Sequence, residues 1–293
     1  MFRRFALLAA CCVPLLAACG ATQKAPQTSP TVDAKAQQQR VEAVRADCMK
    51  QKGFKYVAHV FQGFTRSEDD LKQATGDYAA MKEYRGKYGF GVYSPLIFPD
   101  KFGARAIRVD DENADPNWKI REGLPKGQQK AYDDAGETCY AQAVKEVYHK
   151  QVKGMFDHYD QARKAVEQTR KRELNGDPHL VELAATMASC LKSKGYRVDE
   201  SQPTAVAEAL RTQFSEEMRR VAKIESKEST SGNAAAVMTL DISPEKARPY
   251  LAKEVKAALD DLECGKAFYP VFLPKEGEIN RRVYRDYGFG DMA

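Results

Sequence analysis

The sequence predicts a mainly α-helical fold with at most short β-strands, arranged as two disulfide-stapled helical modules joined by a long helix. Three features lead there. Apolar residues recur at helical spacing through most of residues 40–264. Four of the seven cysteines are spread across that span, an even number suited to two bridges. Finally, Cys48-Met-Lys-Gln-Lys-Gly-Phe-Lys55 returns as Cys190-Leu-Lys-Ser-Lys-Gly-Tyr-Arg197, so the chain repeats a local unit. With 293 residues, 43% of them hydrophobic, there is material for one large domain or two of ordinary size.

Composition excludes several classes. Lys and Arg number 46 against 41 Asp and Glu, a net charge of +5, without the clustered cationic excess of a nucleic-acid binder. The balance of apolar and charged residues also excludes a disordered tail, a collagen-like chain and a polytopic membrane protein.

The N-terminus reads as an export signal. Arg3 and Arg4 precede an apolar stretch, residues 5–16, too short to span a bilayer as a mature helix. It ends in Leu16-Ala17-Ala18-Cys19-Gly20, which resembles the lipobox of bacterial lipoproteins. That resemblance implies that residues 1–18 are removed, that Cys19 carries the lipid, and that the domain is extracytoplasmic and anchored to the cell membrane. Cys11 and Cys12 leave with the leader. Residues 19–39, rich in Ala, Thr, Gln, Pro and Ser, read as a flexible tether.

The elements follow in order. Val41, Val44 and Cys48 share one face of the first helix, and Leu183, Met187 and Cys190 one face of its repeat. Gly53 and Gly195 stop the two helices as C′ residues. Residues 55–61 alternate as a short strand, and Ser67 with Asp70 makes a capping box for a helix to about Arg85. Residues 86–99 form an irregular aromatic segment and 100–125 a long surface loop. From Gly127 to about Glu173 the pattern is helical, with a core stripe of Tyr132, Cys139, Val144, Val147 and Tyr148 and a break point at Gly154. This helix joins module 1, residues 40–173, to module 2, residues 174–293. Asp177-Pro178 opens the next helix as N-cap and first residue. Another follows Pro203, carrying Val206, Leu210, Phe214, Met218 and Val221, and residues 225–233 are polar. Ser243-Pro244-Glu245 starts the last long helix, whose face of Tyr250, Leu251, Val255, Ala258, Leu259 and Leu262 leads to Cys264.

Each copy of the repeated unit is followed by one more cysteine on a later helical stretch. The economical pairing is therefore Cys48 with Cys139 and Cys190 with Cys264, although spacing alone leaves all three connectivities of four cysteines open. A thiolate metal site is disfavoured, because no Cys-x-x-Cys pair is present.

Cys-Met-x-x-x-Gly-Phe (48–54), Tyr-Gly-Phe-Gly (88–91), Leu124-Pro125, Ala131-Tyr132 and Cys139-x-x-x-Ala143 resemble a group of uncharacterised exported proteins and lipoproteins of actinomycetes. Cys-Leu-x-x-x-Gly-Tyr (190–196), Pro203 and Glu254-x-x-x-Ala258-x-x-Asp261-x-x-Cys264 are similar to its downstream segment. A second Tyr-Gly-Phe-Gly (287–290) departs from that order. The resemblance implies fold and disulfides and carries no activity.

Motifs for chemistry are scarce. His59, His149, His158 and His179 are scattered and read as surface or helix-end residues. No nucleophile elbow, phosphate loop or dinucleotide fingerprint occurs, and no cofactor or metal is expected. Asp111-x-Asn113-x-Asp115 with Glu122 has calcium-loop spacing, but Pro116 stands at the glycine position and Lys119 at a ligand position, so an acidic turn beside Trp118 is expected. Asp133-Asp134 and Asp260-Asp261 read as solvated helix faces. The working surfaces suggested are aromatic and glycine-rich: Tyr88, Phe90 and Tyr93 in one segment, Tyr287 and Phe289 in the other, with Arg281, Arg282 and Arg285 beside the second. The expectation is a non-catalytic module binding an envelope protein or cell-wall component; the alternative is a wall-directed hydrolase with dispersed carboxylates.

Overall fold

A computed structural model describes residues 30–61, 66–102, 114–221 and 242–290. Within them run twelve helices: α1 (Pro30–Gln51), α2 (Glu68–Ala74), α3 (Tyr78–Tyr88), α4 (Ser94–Ile97), α5 (Pro99–Phe102), α6 (Asn117–Glu122), α7 (Lys126–Tyr148), α8 (Met155–Leu174), α9 (Pro178–Ser193), α10 (Pro203–Val221), α11 (Pro244–Cys264) and α12 (Tyr269–Asp286). Among the described residues there is no strand, so the fold is mainly α.

Both disulfides are those of the economical pairing. Cys48–Cys139 ties α1 to α7, and Cys190–Cys264 ties α9 to α11. They close loops of 91 and 74 residues, which in the chain-entropy picture stabilises the fold by about 4–5 kcal/mol each. The repeated unit folds identically twice. Gly53 (φ 82°) and Gly195 (φ 86°) adopt the left-handed conformation, Phe54 N–H reaches Met49 O at 3.0 Å, and Tyr196 N–H reaches Leu191 O at 3.0 Å. These are Schellman caps, and glycine is there because an L side chain resists positive φ. Phe54 then turns edge-on to Tyr132 (centroids 5.4 Å), while Tyr196 donates its hydroxyl to Asp260 at 2.7 Å.

α1 lies along α7 over a core of Val41, Tyr140, Ala143 and Val144. The larger core gathers α8, α9, α10, α11 and α12 around Leu174, Leu180, Met187, Leu191, Leu210, Leu262 and Phe272. Packing crosses the sequence position near 173. α3, which lies between Cys48 and Cys139, packs on α11 rather than on α7.

Two buried acids make that joint. Glu254 is fully buried, and its carboxylate accepts the backbone N–H groups of Val92 (2.8 Å) and Tyr93 (2.9 Å), with Phe90 and Gly91 N–H also facing it. Two turns on, Asp261 is 1% exposed, and its carboxylate meets Arg85 at 2.5 Å and the Tyr269 hydroxyl at 2.5 Å. Arg85 also donates to Ala258 O at 3.2 Å and lies over the Tyr269 ring. A buried carboxylate is tolerated only with such partners. The turn after α3 supplies those of Glu254, since Gly89 (φ 63°) and Gly91 (φ 87°) turn successive N–H groups, up to Tyr93, inward.

Several expectations are corrected. Residues 1–29, which include the leader and Cys19, lie outside the described residues, but residues 30–39 of the expected tether are the start of α1. Ala, Gln and Lys extend a helix that Val41 already anchors, and Gln38 Nε2 holds its side by donating to Gly288 O at 3.1 Å. The expected strand at 55–61 pairs with no other strand. Its Val57 gives N–H and C=O to the Asn117 side chain instead (2.9 and 2.8 Å), an amide standing in for a partner strand. The helix from Ser67 keeps its capping box but breaks at Gly76, where Asp77 caps α3. A Cβ at Gly76 would sit 2.7 Å from the Tyr269 and Pro270 backbone, so α12 docks there. The long helix of 127–173 is α7 and α8, interrupted over 149–154; a Cβ on Gly154 would collide with the Glu137 carboxylate. The loop expected at 100–125 contains α6 and overlaps α5, while residues 103–113 lie outside the described residues.

α12 had no counterpart in the sequence reading. Pro270, Pro274 and Gly277 disfavour a helix, yet Tyr269, Phe272, Ile279 and Val283 bury its inner face. Pro270 falls in the first turn, where its missing N–H costs nothing, and Pro274 forfeits one hydrogen bond that burial offsets.

The joint makes a contrast testable between two glycines of neighbouring sequence. A Cβ on Gly89 would lie 2.7–2.8 Å from Glu254 at positive φ, whereas one on Gly86, inside α3, meets nothing within 4 Å. Gly89→Ala should lower unfolding free energy by about 2–4 kcal/mol. Gly86→Ala should be neutral or stabilising by up to about 1 kcal/mol; denaturant melts of the two variants check both.

Candidate functional site

A cleft of about 500 Å³ opens where α8, α10 and α12 meet. Helical spacing builds each wall. α12 presents Asn280 and Tyr284 four residues apart, α8 presents Arg163, Glu167 and Arg170, and α10 presents Thr204 and Glu208. A second cavity of about 260 Å³, lined by Tyr84, Arg85, Phe90, Tyr269 and Glu276, shares Glu208 with the first. Arg170 stands at their junction, ion-paired to Glu276 and 3.9 Å from Glu208. Burial pushes the Glu276 carboxyl above the usual carboxylate range, against the pull of Arg170.

The charges around the cleft largely satisfy one another. Lys171 holds Glu167 at 2.8 Å, and Arg163 holds Asp160 at 2.8 Å. Arg170 Nε and Asn280 Oδ1 are buried without a protein hydrogen-bond partner. The donor belongs to the α8 wall and the acceptor to the α12 wall, and one of each suits a neutral polar group better than an anion.

The second notable cluster surrounds His158. It is 1% exposed, not a surface residue, and its Nδ1 lies 2.9 Å from the Tyr140 hydroxyl. Phe289 (4.6 Å between centroids), Tyr287 (5.9 Å) and Tyr148 (6.4 Å) close around the ring. Burial, and then Lys150, lower its pKa to about 4.

The chain matches no family model, no curated protein and no solved structure.

The residues singled out by sequence are dispersed. Tyr93 is fully buried and stacks on Tyr250, Phe90 packs on the main core, and Tyr88 is half-buried against Tyr84, Phe98 and Phe102. Tyr287 and Phe289 are half-buried around His158. Arg281 is exposed, Arg282 pairs with Glu173 at 2.6 Å, and Arg285 is half-buried. The aromatic segments therefore serve mainly as closures of the core. Asp261, read as solvated, is the buried partner of Arg85, and Asp260 is clasped by Lys194, Lys256 and Tyr196, which hold its carboxyl well below the usual range. Asp133 is bidentate with Arg121 at 2.7 Å. Asp115 caps Asn117, as an acidic turn should, while Asp111 and Asn113 lie outside the described residues. Among the described residues no group of three His, Cys, Asp or Glu could hold a metal ion.

Arg170, Glu208, Glu276 and Asn280 were missed. The signal was the i, i+4, i+8 spacing of Glu276, Asn280 and Tyr284, legible only once residues 269–286 are taken as a helix.

His158 gives a pH prediction with a defined sign. Its pKa is lower in the folded protein than the ordinary 6.5, so the unfolded chain takes the proton first. Its stabilisation is complete above about pH 6.5 and falls as pH drops through about 4, by about 3 kcal/mol in all. His158→Phe should remove that component, so the loss of stability between pH 7.5 and 4.5 should shrink by about 2–3 kcal/mol in paired melts.

Proposed function

We propose that the protein is an extracytoplasmic lipoprotein, anchored through Cys19, that acts as a binding module for a hydroxyl- and amide-rich cell-wall component rather than as an enzyme. The observation that carries the ligand class is the α8–α10–α12 cleft: its charges are largely paired internally, while Arg170 Nε and Asn280 Oδ1 are left open. Tyr284 at its edge, stacked on Tyr159, offers an aromatic face of the kind on which a sugar ring rests. The lipobox-like Leu16-Ala17-Ala18-Cys19 supports the anchor. The two disulfides suit an oxidising compartment, and no helix of the described residues is long and apolar enough to cross a membrane.

One observation favours a second reading. Glu208 and Glu276 flank a single guanidinium between two cavities, and a buried carboxyl with a raised pKa is the usual state of a general acid. A wall-directed hydrolase would use such a pair.

Two measurements test these readings. Cys19→Ala should move the protein from the membrane fraction to the soluble one, and continued retention in the membrane would remove the anchor. Sedimentation with isolated wall polymer should fall about tenfold for Asn280→Leu, consistent with one lost hydrogen bond and an unpaired ligand group. Release of labelled polymer fragments that is abolished by Glu276→Gln would instead establish the hydrolase.

A further inference from the structure

We propose that the tip of α8, formed by Met155, Phe156 and Tyr159, is a membrane-contact surface that seats shallowly in the bilayer and fixes the orientation of the domain. The proposal rests on the lipid-anchor reading and adds a second, independent point of attachment.

The patch is concentrated. Phe156 is 64% exposed, Tyr159 43% and Met155 40%, and they are three of the eight large hydrophobic side chains that stand exposed among the described residues. All three fall at the start of α8, Met155 and Tyr159 in line with the buried Ala162 and Val166 and Phe156 about 100° round the helix, so the patch is the exposed end of that apolar stripe. The patch is also firmly backed. Tyr159 stacks on Tyr284 and meets Phe289 edge-on at 5.9 Å, so the exposed rings continue into the aromatic cage around His158.

Its surroundings suit a lipid surface. The acids nearby are engaged: Asp157 accepts Lys153 N–H at 2.8 Å, Glu137 accepts Met155 N–H at 2.8 Å, and Asp160 is shared between Arg163 and Lys164. Lys153 is exposed at the edge, and Lys150 lies 3.9 Å from the centre of the Tyr287 ring. Apolar residues ringed by lysines are the composition of an interfacial contact with anionic headgroups.

The length of the N-terminal chain places this end within reach of the membrane. Ten residues lie between Cys19 and Pro30 at the start of α1, a maximum reach of about 40 Å. α1 delivers that attachment to the right end, because Gln38 holds Gly288 and the next residue, Phe289, holds Tyr159. Only about 12 Å of helix separates Pro30 from Gln38. Three side chains are far fewer than the roughly 20–30 residues per side of a stable protein interface. They suffice where a lipid already keeps the domain beside the bilayer, since the second contact is then intramolecular.

The single tryptophan supplies a built-in control. Full-length lipidated protein is reconstituted in vesicles of phosphatidylglycerol and phosphatidylcholine with brominated acyl chains, as wild type, whose emission comes from Trp118, and as Phe156→Trp. Flotation reads the anchor and quenching reads the patch. Floating protein whose Phe156→Trp emission is quenched roughly twofold beyond wild type, as expected for a ring 5–10 Å into the interface, supports the proposal. That excess should disappear on adding Lys153→Glu and Met155→Asp. Floating protein with equal quenching in both forms keeps the anchor and overturns the patch, as does quenching centred on Trp118. If the protein fails to float, the anchor reading falls, and titration with excess vesicles decides the patch alone: excess quenching of Phe156→Trp retains it, and none removes it.

Discussion

The fold turns on the need to satisfy two carboxylates buried one above the other on α11. Glu254 and Asp261, seven residues apart, point the same way along the helix into the joint with α3. Desolvation raises the pKa of both, so each is stable in ionised form only because donors are held in place around it. For Glu254 these are backbone N–H groups of the turn after α3; for Asp261 they are Arg85 and Tyr269. Those donors come from α3, the turn after it and α12. The requirement therefore pulls a segment from the first half of the chain onto the second and fixes where α12 begins. Gly89 and Gly76 are both at points where a side chain would obstruct this assembly.

The two Tyr-Gly-Phe-Gly copies share positive-φ glycines but not their hydrogen bonding: Phe289 N–H reaches back to Tyr284 O as a Schellman cap, while in the first copy Gly89 N–H bonds Arg85 O and Gly91 N–H bonds Tyr88 O. Both place their glycines at positive φ, 63° and 87° in the first, 78° and 65° in the second. The first turns N–H groups onto a carboxylate. The second turns the Gly288 carbonyl outward to accept from Gln38, while its two rings close over neutral His158. The sequence identity thus reflects a shared need for positive-φ glycines after a helix, not a shared partner.

What could be read from the sequence was what is decided locally. The Cys-to-Gly unit folds the same way twice because its cap depends on one glycine and the carbonyls just before it. The capping box at Ser67 and the Asp177-Pro178 start hold for the same reason. What escaped was decided by distant partners. α12 carries two prolines and a glycine, and only burial of Tyr269, Phe272, Ile279 and Val283 makes it a helix. Asp261 looks like any helix-surface acid until Arg85, 176 residues away, is placed beside it. His158 looks like a helix-start histidine until the C-terminal aromatic turn folds over it. The candidate cleft was hidden with α12, because half of its polar wall projects from that helix.

The antiparallel contact of α1 with α7 also has a mechanical meaning. A pull on the N-terminus enters along the axis of α1 and loads its packing against α7 in shear, the direction in which many side-chain contacts resist together. The Gln38–Gly288 bond and the Arg40–Glu146 ion pair lie close to the point of loading and are strained early. Unravelling then stops at Cys48, where the disulfide passes tension directly to Cys139 and leaves the 91-residue loop between them unstretched. The Schellman turn, the α3 joint and the buried acids of α11 all depend on that loop, and the covalent bypass keeps them out of the line of force.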